Sequence, residues 1–92
     1  GNKLKAVILY GSVARGTATE ESDIDIMVLI DGTAQELRTF EDQLSDVSAD
    51  ISIKYFKVFS IMDISYQEYM RWMNTLPFYK NVSQEGVVLY AA

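Results

Sequence analysis

Gly11 and Ser12 stand ten residues ahead of an acidic pair, Asp23 and Asp25, in the stretch GSVARGTATEESDID. In a strand, residues two apart project to one face, so the two carboxylates would lie side by side while Ile24 and Ile26 turn the other way. Such a pair repels. Holding it at the edge of an apolar core raises its proton affinity unless a cation neutralises it, so the pattern reads as a site for magnesium or manganese. Gly11 permits unusual dihedrals and a close backbone approach, and Ser12 offers a hydroxyl and a nearby amide to a phosphate oxygen. One strand end would grip a triphosphate and its neighbour would hold the metal on it. Phosphoryl and nucleotidyl transfer need little more than that metal and that grip. Each part also has an ordinary reading: D-x-D can be a polar turn that opens a strand, and Gly-Ser after a strand is a weaker signal still. The combination carries the weight.

Composition narrows the chemistry further. The chain has neither cysteine nor histidine, which removes disulfides, thiolate sites, imidazole acid/base work and imidazole ligation; a metal here must be held by oxygen, which favours hard ions. Thirteen acidic residues against eight basic ones, a net charge of −5, exclude an extensive nucleic-acid surface built on phosphate contacts. The longest apolar runs, Ile24 to Ile30 and Val58 to Met62, are too short to cross a membrane, and no signal-type segment opens the chain. A soluble, cytoplasmic protein is expected. With 92 residues, 49% of them hydrophobic, one small domain with a thin core is expected. The chain opens without methionine and enters a strand pattern by Leu4, so Gly1 and Asn2 read as extraneous and sequence upstream of them is expected to be missing.

The elements that must position the acidic pair follow from periodicity. Lys3 to Tyr10 is rich in strand formers and is closed by Gly11, giving a first strand. Asp23 to Ile30 is nearly continuous apolar after its acids, as a central strand covered on both faces would be. Thr33 with Glu36 forms a capping box, and Leu37, Phe40, Leu44, Val47 and Ile51 recur at helical spacing. Ile51, Ile53 and Tyr55 also alternate, which leaves the helix end open between Ser48 and Tyr55. Lys57 to Ile64 reads as a third strand. Ser65 with Glu68 caps a helix to about Asn74, Pro77 suits the first turn of another, Gly86 its stop, and Val87 to Tyr90 a short last strand. The order predicts an α/β (α+β) fold, a small mixed sheet with helices mainly on one face.

The stretch GSVARGTATEESDIDIMVLI resembles the signature of the polymerase-beta-like nucleotidyltransferase superfamily, specifically its minimal nucleotidyltransferase domains. The tail LPFYKNVSQEGVVLY is similar to small members of the same group, so the likeness spans nearly the whole chain, residues 1–92, as one domain. The resemblance implies that Gly11 and Ser12 contact nucleotide phosphate, that Asp23 and Asp25 ligate a divalent metal for catalysis, and that Arg15 is a phosphate partner. For Arg15, an ion pair with Glu20 or Glu21 is the equal alternative. The family also implies a nucleoside triphosphate substrate and pairing with a separate helical protein of the HEPN class in toxin–antitoxin systems. A homo-oligomer is left open.

Two departures from the family pattern stand out. No helix precedes the first strand, and the place of the usual third carboxylate in KVFSIMDIS is taken by Ser60. Asp63, three residues on, would face the opposite side of a regular strand, and Asp50 could serve only if its segment were itself a strand. The nucleophile's proton then lacks an obvious acceptor. The aromatics Tyr66, Tyr69, Trp72, Phe78 and Tyr79 are spaced for packing on a sheet, with base stacking or partner docking as the competing uses. Two functions follow as expectations. One is metal-dependent transfer of a nucleoside monophosphate to a protein or small acceptor; the other is a catalytically weak binding module such as an antitoxin.

Overall fold

The computed structural model describes residues 3–91, so Gly1 and Asn2 lie outside the described residues. Eight elements run in the order β1 (Leu4–Tyr10), α1 (Gly11–Arg15), β2 (Ile24–Ile30), α2 (Ala34–Tyr55), β3 (Phe59–Ser65), α3 (Tyr66–Trp72), α4 (Pro77–Glu85) and β4 (Val87–Ala91). The strands form one mixed sheet in the order β3-β2-β1-β4. β1 runs antiparallel to both β2 and β4, and β2 runs parallel to β3. The parallel pair requires a crossover longer than a hairpin turn, which α2 supplies.

Register assigns the two sheet faces. Ile8 lies opposite Met27, and Met27 opposite Met62; this face carries the core of Ile8, Met27, Leu29, Tyr69 and Val82, the last two contributed by α3 and α4. Met27 is fully buried and Leu29 is nearly so. On the reverse face, Val7, Val28 and Ile30 meet Phe40 and Leu44 of α2 around an apolar cavity of about 420 Å³. β2 is therefore covered on both sides, as its unbroken apolar run from Ile26 to Ile30 requires. Tyr66, Met73 and Tyr79 pack against the core, and Tyr69 and Tyr79 meet edge to face with ring centroids 5.9 Å apart. Packing accounts for these aromatics.

Helix ends follow their local chemistry. Thr33 caps α2: its hydroxyl accepts from Glu36 N, and the Glu36 carboxylate accepts from Thr33 N. α2 runs 22 residues to Tyr55, so the alternation of Ile51, Ile53 and Tyr55 does not mark a strand. Ile53 is 74% exposed, and it reads as apolar only in sequence. Phe56 ends the helix in the left-handed region at φ 53°. Ser65 caps α3 by accepting from Glu68 N, and Pro77 opens α4 where its missing N–H costs nothing. The segment after Gly11 is not all loop: Gly11 to Arg15 forms a single short helix that Gly16 terminates at φ 75°.

Candidate active site

The site is built where β1 ends and β2 begins. Tyr10 lies opposite Asp25, and Asp25 in turn lies opposite Ser60 on β3. Alternation puts Asp25 and Met27 on the same face, so Tyr10, Asp25 and Ser60 form a row across one end of the core-bearing face. Immediately after Tyr10 the chain turns into α1, and Gly11 makes that turn at φ 74°. A Cβ at Gly11 would collide with Asp25 Oδ2 and come within 3.3 Å of its Cγ. Gly11 thus serves two needs, a left-handed backbone and bare space for a carboxylate. Ser12 follows in the first turn of α1, where its carbonyl accepts from Thr17 N at 3.0 Å.

Asp23 sits one residue before β2 and is exposed, whereas Asp25 is half-buried within the strand. Burial holds the Asp25 carboxyl above its ordinary range; the neighbouring Asp23 charge adds to this and Arg15 partly offsets it. The Tyr10 phenol is also raised, first by burial and then by Asp25. Both effects mean that negative charge is poorly compensated at this end of the sheet. A divalent cation would reverse the balance. Among the described residues, no three carboxylate, histidine or cysteine side chains converge. The donors present are the carboxylates of Asp23 and Asp25 and the hydroxyls of Tyr10, Ser12 and Ser60, all oxygens. That set fits a magnesium or manganese ion that completes its shell with water and phosphate oxygens.

Arg15 corrects one expectation. Its guanidinium lies 3.6 Å from Glu85 on α4, not on Glu20 or Glu21. Both side chains are nearly half exposed, so the pair tethers α1 to α4 weakly. Ser60 is placed as the sequence indicates, beside Asp25, and Asp63 faces the reverse side opposite Val28. Asp50 is on α2, away from any strand role. Sequence reasoning missed Tyr10. Its ring meets Phe78 edge to face with centroids 5.8 Å apart, and both line a cavity of about 180 Å³ with Gly11, Arg15, Asn81 and Glu85. The available signal was its place as the last strand residue before the glycine.

Comparison with known proteins places the chain in a family. Residues 1–92 match the family described as polymerase beta, nucleotidyltransferase. A relative in Methanocaldococcus jannaschii named "Putative protein adenylyltransferase MJ0604" is 36% identical over 88 residues, covering 96% of this chain and 80% of its own length. A second from the same organism, "Putative protein adenylyltransferase MJ0128", is 44% identical over 57 residues, 56% of this chain and 58% of that protein. Among solved structures, the crystal structure of a toxin–antitoxin with AMP-PNP superposes with a TM-score of 0.61 at 22% identity. That superposition covers 98% of this chain and 63% of the other. At that identity the likeness concerns the fold. Among the described residues, no helix is long and apolar enough to cross a membrane.

Proposed function

We propose, because this chain belongs to the polymerase beta nucleotidyltransferase family, that it transfers adenylate from ATP to a hydroxyl on an acceptor protein in a magnesium- or manganese-dependent reaction. The observation that carries the reading is the close seating of Asp25 on the bare backbone of Gly11, which brings the metal-binding carboxylate and the phosphate-binding turn to one point. Adenylate as the group and protein as the acceptor are supported by the names of the relatives. In this reading Gly11 and Ser12 hold the triphosphate through the turn's amides and the Ser12 hydroxyl, and Asp23 and Asp25 hold the cation. Arg15 lends positive charge beside them. The cation would supply charge neutralisation at the phosphates and fix their orientation. The acceptor oxygen bonds to the α-phosphorus, the bond from that phosphorus to the bridging oxygen breaks, and pyrophosphate leaves with the electron pair. The hydroxyl proton passes to solvent water, since Ser60 offers no carboxylate to take it.

A toxin–antitoxin pairing, supported by the assembly of the structural neighbour, is part of the proposal, with a HEPN-type helical partner and a cytoplasmic setting added to it on the family resemblance alone. The test is transfer of label from α-phosphate-labelled ATP in magnesium and in manganese, with wild type beside Asp25→Asn. Transfer by wild type and none by the variant supports the reading. Nucleotide-induced stabilisation without transfer to any protein or small acceptor would leave a binding module and sink the enzymatic proposal.

A further inference from the structure

β3 is an edge strand, and its outer side is protected over only part of its length. At Phe59 two serines of α2 stand in for a neighbouring strand: Ser48 Oγ donates to the Phe59 carbonyl at 2.6 Å, and Phe59 N donates to Ser52 Oγ at 3.1 Å. Parallel pairing sends the backbone groups of alternate residues to opposite sides. Val58, whose carbonyl accepts from Ile24 N, faces β2, so Phe59, Ile61 and Asp63 face outward. Among the described residues, no strand lies beside the outward groups of Ile61 and Asp63 beyond Phe59. A groove of about 550 Å³ runs here, walled by Ser45, Ser48 and Ala49 on one side and by Ser60, Ile61 and Met62 on the other. The side chains on the α2 wall are small, two serines and an alanine. The groove also reaches Tyr10 and Ser60, two members of the row that contains Asp25.

The surface around it is apolar at one end and acidic along one side. Val58 is 58% exposed and Met62 40%, and Phe56, held out in the left-handed conformation, is 92% exposed. α2 carries five acidic residues, Glu36, Glu41, Asp42, Asp46 and Asp50, against Arg38 and Lys54, and Asp63 lies on the strand itself. A bare strand edge invites pairing with another chain unless something guards it. A second copy of this chain, at net charge −5, would bring like charge to the acidic side.

We infer that the open edge of β3 receives an extended, basic-flanked segment of the acceptor protein as an added strand, which sets a hydroxyl of that segment beside Ser60, at the outer end of the row that contains Asp25. The inference rests on the nucleotidyltransferase reading for the hydroxyl's fate, but not for the docking. Backbone hydrogen bonds at Ile61 and Asp63 supply affinity, and side chains alternate between the groove and the face that bears Ser60. A residue opposite Ser60 then projects onto the row of Tyr10, Asp25 and Ser60.

The probe is a synthetic peptide of about ten residues, alternating valine and threonine with lysines at both ends, the pattern of an added strand. Its binding to the whole chain is followed by amide NMR without nucleotide. The expected result is perturbation and exchange protection centred on the Ile61 and Asp63 amides. Ala49→Arg, which narrows the groove from an exposed helix position, should weaken binding at least about tenfold. A peptide N-methylated at alternate residues should bind as weakly. Equal binding by the N-methylated peptide, perturbation centred on β4, or no binding at millimolar peptide would overturn the inference. So would protection of Ile61 and Asp63 by self-association before peptide is added. Normal docking with no label transferred from ATP would leave the docking intact and count against the proposed activity instead.

Discussion

At the residue scale, Gly11 and Asp25 are a matched pair, and each can be tested against the other. Gly11→Ala places a β-carbon in a left-handed backbone, which costs roughly 1–2 kcal/mol, and also forces the Asp25 carboxylate aside. A lower melting temperature together with loss of stabilisation by magnesium and ATP is the expected outcome in a thermal-shift assay. Asp25→Asn should abolish the same ligand effect and leave the metal-free fold as stable or more so. The reason is linkage. The Asp25 pKa in the fold lies above its ordinary value of 3.8, so the folded state binds the proton more tightly than the unfolded state does. Stability from this group is therefore full below 3.8 and is lost as pH rises through the raised value. Wild type should lose stability relative to Asp25→Asn across that acidic window in pH-dependent denaturation, and a constant difference would be evidence against it. Ser12→Ala, by contrast, should leave the melting temperature nearly unchanged and weaken nucleotide binding by about 1.5–3 kcal/mol, the worth of a hydrogen bond to a charged group.

At the scale of elements, register decides what the site lacks. Asp25 lies opposite Ser60, so Ser60→Asp puts a further carboxylate beside Asp25, whose own carboxyl already resists ionisation. Tighter manganese binding and a less stable metal-free protein are expected, measured by calorimetry and by denaturation; an effect on neither would mean that Ser60 faces elsewhere. Phe56→Gly should stabilise the fold by about 1 kcal/mol, because glycine removes the left-handed penalty at the end of α2. This scale was also the most legible in the sequence. Thr33 with Glu36, Ser65 with Glu68, and Pro77 each announce a helix start through side-chain chemistry that acts within a few residues. Gly11, Ser12, Asp23 and Asp25 could be singled out because their types and spacing are themselves the signal. What stayed hidden depends on distant chain. The Arg15 partner is Glu85, seventy residues away in sequence and adjacent only once α4 folds back. The extension of α2 to Tyr55 overrides a local period of two. α1 is too short to show any period at all.

For the whole molecule, the mixed sheet explains why so small a chain can hold a charged site. The buried residues gather on Ile8, Met27 and Leu29, away from the strand ends at Tyr10, Asp25 and Ser60, which are left to do polar work. Exposed apolar surface persists on β4, where all five residues are exposed, and around the end of α2. The antiparallel pairing of β1 with β4 sets Ala6 beside Ala91 and Leu9 beside Val87. Leu4 and Ala91 therefore lie toward the pole of the sheet away from Asp25; along β1, Leu4 is about 20 Å from Tyr10, and Ala6, the partner of Ala91, about 13 Å. A tether fused to either of these strand ends would leave the molecule on its far side. An acceptor carried on such a tether reaches Asp25 only if the linker is long enough to travel back along the sheet. A short leash would hold it in permanent proximity and still out of reach, and its modification would have to come from a second molecule.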